Sequence, residues 1–174
     1  SEKRDYIFII AIFATLLSNL MMTFSGVLWN ILGILFFIMY RIISIIIVLN
    51  FTQKIRLFSV VIATVPFITL LFYVVILTYD SLGIHFYPAV LNAILISIMA
   101  GIALSKYVFE DDATNNPLLL STLLFTFVIV LYILEHFYMN LRVFSVVRSV
   151  FYLSGHYVFL RYVILSEKSK SNNP

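Results

Sequence analysis

The stretch FFIMYRIISIIIVLN, residues 36–50, decides the class of fold. Its apolar residues run on without the period-two alternation of a barrel strand, so a membrane β-barrel is disfavoured. It lies inside a longer apolar run from Val27 to Phe51, enough for the roughly 20 residues that cross a ~30 Å hydrocarbon core as a helix. Arg41 sits in the middle of it, and a permanent charge at that place needs a reason.

The rest of the chain reads the same way. It has 174 residues, 63% of them hydrophobic and 11% charged, with a mean hydropathy of +1.08. A soluble domain carries about 25% charged residues, and one water-soluble core cannot hide this much apolar surface. The sequence therefore predicts an all-α, polytopic integral membrane protein with six spans. They are Tyr6–Phe24, Val27–Phe51, Leu57–Tyr79, His85–Val108, Pro117–Tyr138 and Leu141–Leu165. The breaks carry turn chemistry: SG at 25–26, NFTQKIR at 50–56, YDSLGIHFYP at 79–88, EDDATNNP at 110–117 and MN at 139–140. Residues 1–165 read as one transmembrane domain, and the tail from Ser166 to Pro174, SEKSKSNNP, reads as polar, cytoplasmic and disordered. Pro66 is expected to kink the third span, and Pro88 suits the first turn of the fourth.

Charge placement gives an orientation. Lys3, Arg4, Lys54, Arg56, Lys106, Arg161, Lys168 and Lys170 fall on one side of a six-span layout, against Arg142 alone on the other. By the positive-inside rule both termini face the cytoplasm, and a bacterial inner membrane is the expected location. The charges before the first apolar run resemble a signal peptide, but the run is long and no small-residue cleavage site closes it, so it reads as an uncleaved span. Ser1 fits removal of an initiator Met from a cytoplasmic end.

Chemistry inside the spans is sparse. The ionisable residues are Arg41, Glu135, His136, Arg148 and His156, joined by the amides Asn19, Asn30 and Asn92 and by Ser18, Ser44, Ser97 and Ser154. Glu135, Arg148, Asn92 and Asn19 fall about one to two turns from the outer face and form one candidate polar cluster. Arg41 and His156 fall about four turns down and form a second candidate site. Arg148 is the expected partner of Glu135 across the tight turn between spans five and six, with Arg142 and His136 as rivals. Such a pair either fixes how the two spans pack or lines a pocket for a lipid head group. Arg41 either snorkels to cytoplasmic water or faces the protein interior or a partner subunit, and the second is favoured. No cysteine is present, which excludes disulfides, thiolate metal sites and Cys nucleophiles. The three His have no metal-site spacing, Ser18 and Ser154 have no His-plus-acid companions, and no phosphate loop or nucleic-acid patch occurs. No catalytic residue, metal or cofactor is assigned. The expected partners are membrane lipids and other membrane subunits, not nucleic acid.

The order of motifs resembles the YhhN-like membrane proteins, a family that includes lysoplasmalogenases. ATLLSNLMMTF (14–24) is similar to that family's Ser-x-x-Gly-Asp span, with Ser18-Asn19 where Gly-Asp is expected. GILFFIMYRII (33–43) keeps Gly33 and Phe37 but has Arg41 where the family has His. PAVLNAILISIMAGIAL (88–104) keeps Pro88 and Met99 with Asn92 in place of Tyr. STLLFTFVIV (121–130) keeps Phe125 but has Val128-Ile129 for Ser-Asp, and FYLSGHYVFLRYVI (151–164) keeps Tyr152 with His156 near the Gln position. The resemblance implies a lysolipid-hydrolase scaffold that has lost both acids of its site, as Asn19 and Ile129, and the family's additional N-terminal spans. An amide cannot shuttle a proton as a carboxyl does. The resulting expectation is a non-enzymatic accessory subunit of a membrane assembly or a lipid-binding module. Its rivals are a hydrolase of lysolipids with a site rebuilt from Glu135, His136, Arg148 and His156, and a small-solute or vitamin carrier component.

Overall fold

The computed structural model describes residues 2–24, 26–52, 56–110, 112–139 and 141–172, and the side chains of 6–24, 26–52, 56–110, 112–139 and 141–169. The charges of Lys3, Arg4, Lys54 and Lys170, used above to orient the chain, lie outside the described side chains. Among the described residues seven α-helices follow in order: α1 Glu2–Thr23, α2 Val27–Phe51, α3 Leu57–Leu77, the single turn α4 Tyr79–Leu82, α5 Phe86–Phe109, α6 Asn115–Phe137 and α7 Arg142–Asn172. A 3₁₀ turn, Gly83–His85, joins α4 to α5, and no strand occurs among the described residues. All but α4 are long and apolar enough to cross a membrane. The outward faces agree with lipid as solvent. Leu57, Phe58, Val61, Ile62 and Val65 on α3 are each more than half exposed, an apolar patch that water would not tolerate. The chain is an integral membrane protein of helical type.

The contacts group into two compact units, residues 1–53 and 54–174. In the first, α1 packs on α2. Gly26, at φ 134°, a conformation that L side chains rarely adopt, stands just before α2. The hairpin closes on Gly33: a Cβ there would meet the Ser18 carbonyl oxygen at 3.1 Å, and the Ser18 hydroxyl donates to the Gly33 carbonyl at 2.8 Å. In the second unit α3 packs on α5, α5 on α6 and α6 on α7, with α3 also touching α6. The spans on α5 and α6 are 50% and 44% buried against 17% on α3 and 11% on α7, so α5 and α6 are the central pair of this unit. Close approach again falls on glycine. A Cβ on Gly101 of α5 would meet the Thr64 backbone nitrogen of α3 at 3.0 Å, and one on Gly155 of α7 would meet Phe125 Cε1 of α6 at 2.9 Å. Without a hydrophobic drive between helices in lipid, such small-residue contacts let backbones pack closely.

Two expectations change. The segment 79–88, read as a loop, is helical almost throughout. The tail from Ser166, read as disordered, continues α7 to Asn172. The physical reason lies in Ser166 itself: it is buried, and the Glu and Lys that follow are good helix formers. Pro66 lies inside α3, which remains one helix through it, and Pro88 is the third residue of α5, where its missing N–H costs nothing.

Candidate functional site: the ion pair at the α6–α7 turn

Glu135 is the third-last residue of α6, and Arg148 lies six residues into α7, about 9 Å along its axis. Helical side chains lean toward their own N-terminus, so Arg148 reaches up toward the α6–α7 turn while Glu135 leans down from it. They meet: Arg148 Nε donates to Glu135 Oε2 at 2.8 Å. Of the three partners considered for Glu135, the structure selects Arg148. The contact is single-pronged. Neither the terminal nitrogens of Arg148 nor Oε1 of Glu135 has a hydrogen bond to any described residue. The side chains are 28% and 13% exposed, so the pair is neither fully buried nor free in solvent. Tyr132, one turn before Glu135, places its ring 5.7 Å from the Arg148 guanidinium carbon, a cation–π contact.

Around this end of the unit stand rings. Tyr132 and His136 lie 4.4 Å apart between centroids, His85 lies 6.0 Å from Phe137, and Tyr79 meets Phe86 edge-on at 5.0 Å. Tyr and Phe at the ends of several spans match the aromatic belt that marks head-group level. His136 is exposed, and its Nδ1 lies 3.1 Å from the Tyr132 carbonyl oxygen of its own helix.

The remaining predicted residues are placed elsewhere. Asn19 and Arg41 belong to the first unit; Asn92, Glu135, Arg148 and His156 belong to the second. Asn19 is exposed on α1 and donates to the Thr15 carbonyl at 3.1 Å. Arg41 is only 1% exposed, so it does not snorkel. Its guanidinium lies 5.0 Å from the Phe37 ring and 5.6 Å from the Tyr40 ring. Asn92 is half-buried, and its Oδ1 has no hydrogen-bond partner among the described residues. His156 sits eight residues beyond Arg148, about 12 Å along α7, with its ring 4.4 Å from Tyr152 and 5.0 Å from Phe125. Glu135, Arg148 and His156 therefore do not share one site.

The hydroxyls inside the spans are mostly engaged with their own helices. Ser44 donates to Tyr40, Ser97 to Ala93 and Thr126 to Thr122, each to the carbonyl four residues back. Among the described residues, no group of three His, Cys, Asp or Glu could hold a metal ion.

A second polar corner went unread in the sequence. Lys106, buried near the end of α5, places its ammonium 3.5 Å from Glu110. Asn115, the first residue of α6, donates from Nδ2 to the carbonyls of Lys106 and Glu110, at 3.2 and 3.0 Å. The signal was present: Lys-x-x-x-Glu is an i,i+4 pair, and an Asn beside a loop is a natural cap for carbonyls. The chain matches no protein-family model, no curated protein and no solved structure.

Proposed function

We propose that this chain is a non-enzymatic accessory subunit of a membrane assembly, with both termini cytoplasmic in a bacterial inner membrane, and that it holds a membrane lipid at the α6–α7 ion pair. The observation that carries the reading is the partly exposed pair itself. An ion pair that only pins two helices repays its desolvation when its remaining donors and acceptors are satisfied. This one leaves donors of Arg148 and an acceptor of Glu135 uncommitted among a rim of aromatic residues. Lipid head groups are the polar material that reaches such a place. The engagement of Ser18, Ser44 and Ser97 with backbone carbonyls supports a non-catalytic role, since none stands beside a base.

The test is purification of a tagged chain in mild detergent, with co-purifying proteins and lipids identified. A phospholipid retained with the chain, together with a membrane protein in fixed ratio, is the expected result. Hydrolysis of a lysolipid by the purified chain would overturn the non-enzymatic reading, and a chain that emerges alone would remove the subunit role.

A further inference from the structure

Arg148 and Glu135 also constrain which lipid fits, and this step rests on the lipid-binding reading above. We infer that the pair is a receptor for a zwitterionic phosphoethanolamine head group, with Arg148 holding the phosphate and Glu135 the ammonium.

The argument begins with the free valences. Arg148 is fixed by its Nε bond to Glu135 and by the Tyr132 ring, so its orientation is set before any ligand arrives. The end-on edge of its guanidinium, one N–H from each terminal nitrogen, is then a planar fork with no hydrogen-bond partner among the described residues. That is the geometry that takes two oxygens of a phosphodiester. Glu135 keeps Oε1 as an acceptor, adjacent to the fork. A ligand that uses both must carry an anion and an N–H-bearing cation side by side.

Charge then separates the common head groups. The pair sums to zero, and the other charged groups described at this end, Asp80 and Arg142, also cancel; His85 and His136 are the titratable neighbours. The site therefore offers no net attraction to an anionic glycerol head group or to free phosphate, and Glu135 repels both. A choline head group has the right net charge, but its trimethylammonium has no N–H to give Oε1. Ethanolamine satisfies both atoms. The opposite end of the unit differs: Arg56, Lys106, Arg161 and Lys168 stand there with Glu110, Asp112 and Glu167, and Glu110 is already paired with Lys106.

The experiment uses the full chain reconstituted in nanodiscs of equal parts phosphatidylethanolamine, phosphatidylcholine and phosphatidylglycerol, then released into detergent and read by native mass spectrometry. The wild type should retain phosphatidylethanolamine in preference to the other two. R148K keeps a charge to pair with Glu135 but loses the fork, and should weaken retention about tenfold, the worth of one charge-assisted bond. E135Q should still retain phospholipid but lose the distinction between ethanolamine and choline. Inorganic phosphate should not displace the lipid. Preference for phosphatidylglycerol, unchanged retention in R148K, or displacement by inorganic phosphate would each overturn the ethanolamine assignment. A wild type that retains no lipid would sink the assignment and the lipid-binding reading together, whereas R148K-sensitive retention of phosphatidylglycerol would sink the assignment alone.

Discussion

At the scale of single residues, the Glu135–Arg148 contact crosses between two helices of the second unit, and its strength can be measured. A double-mutant cycle with Glu135→Gln and Arg148→Gln, read as unfolding free energy in bicelles, should give a coupling of about 1 kcal/mol, in the range of interhelical polar contacts in membranes. A coupling near zero would mean that the two side chains meet without holding the helices. Gly155 offers a second measurement. Phe125 is 1% exposed and has little room to retreat from a new Cβ, so Gly155→Val should destabilise by about 1–3 kcal/mol, and Phe125→Leu should recover part of the loss. At Gly101 the obstacle includes the Thr64 backbone nitrogen, so no side-chain substitution at Thr64 should rescue Gly101→Ala. Full rescue by Thr64→Ala, which removes the Thr64 hydroxyl that such a Cβ meets first, would show that the side chain alone set the limit.

The same residues show what was legible. Glu135 was conspicuous as the only acid inside a span, and its partner followed from the tight turn beside it. Tyr132 was overlooked because a Tyr three positions from a Glu is unremarkable in a chain with 11 Tyr. The expected grouping by depth treated spans as a common ruler. Depth kept His156 apart from Glu135 and Arg148 but carries no information about azimuth, so it could not show that the His156 ring turns among Tyr152 and Phe125.

At the scale of elements, helix existence was legible from apolar length and helix ends were not. Span α7 was expected to stop where hydrophobicity stops, near Leu165. Backbone hydrogen bonding does not stop there, because Ser166 still packs inward. Amides of residues 166–169 should therefore exchange with deuterium more slowly than those of an unstructured chain, and exchange at the unprotected rate would restore the disordered tail. Between α1 and α2, the Ser18 hydroxyl is the polar tie beside Gly33. Ser18→Ala should cost the hairpin about 1 kcal/mol, the usual net value of a hydrogen bond. Thermal unfolding of the variant in detergent checks it, and an unshifted midpoint would assign closure of the hairpin to packing at Gly33 alone.

At the scale of the whole molecule, topology is the quantity that the proposal adds to the six spans. The absence of cysteine makes it easy to read. Single cysteines at Asp112 and Ser169 should react with membrane-impermeant maleimide only from the cytoplasmic side, and one at Ser81 only from the opposite side. All three residues are described, and Asp112, Ser169 and Ser81 are all exposed. Labelling of Ser81 and Asp112 from the same side would remove a crossing at α5.

The Asn115 corner bears on how the chain is made. An amide that closes the end of α5 from the first residue of α6 turns the two spans into a hairpin whose bend is already hydrogen-bonded. Such a bend can form as soon as both spans have left the ribosome, before α7 exists to pack on α6. A peptide tag inserted after Ala113 would part Asn115 from its carbonyls and should lower the yield of inserted protein. The same tag beside Gly83, where a side chain would meet nothing within 4 Å, should be tolerated during biogenesis.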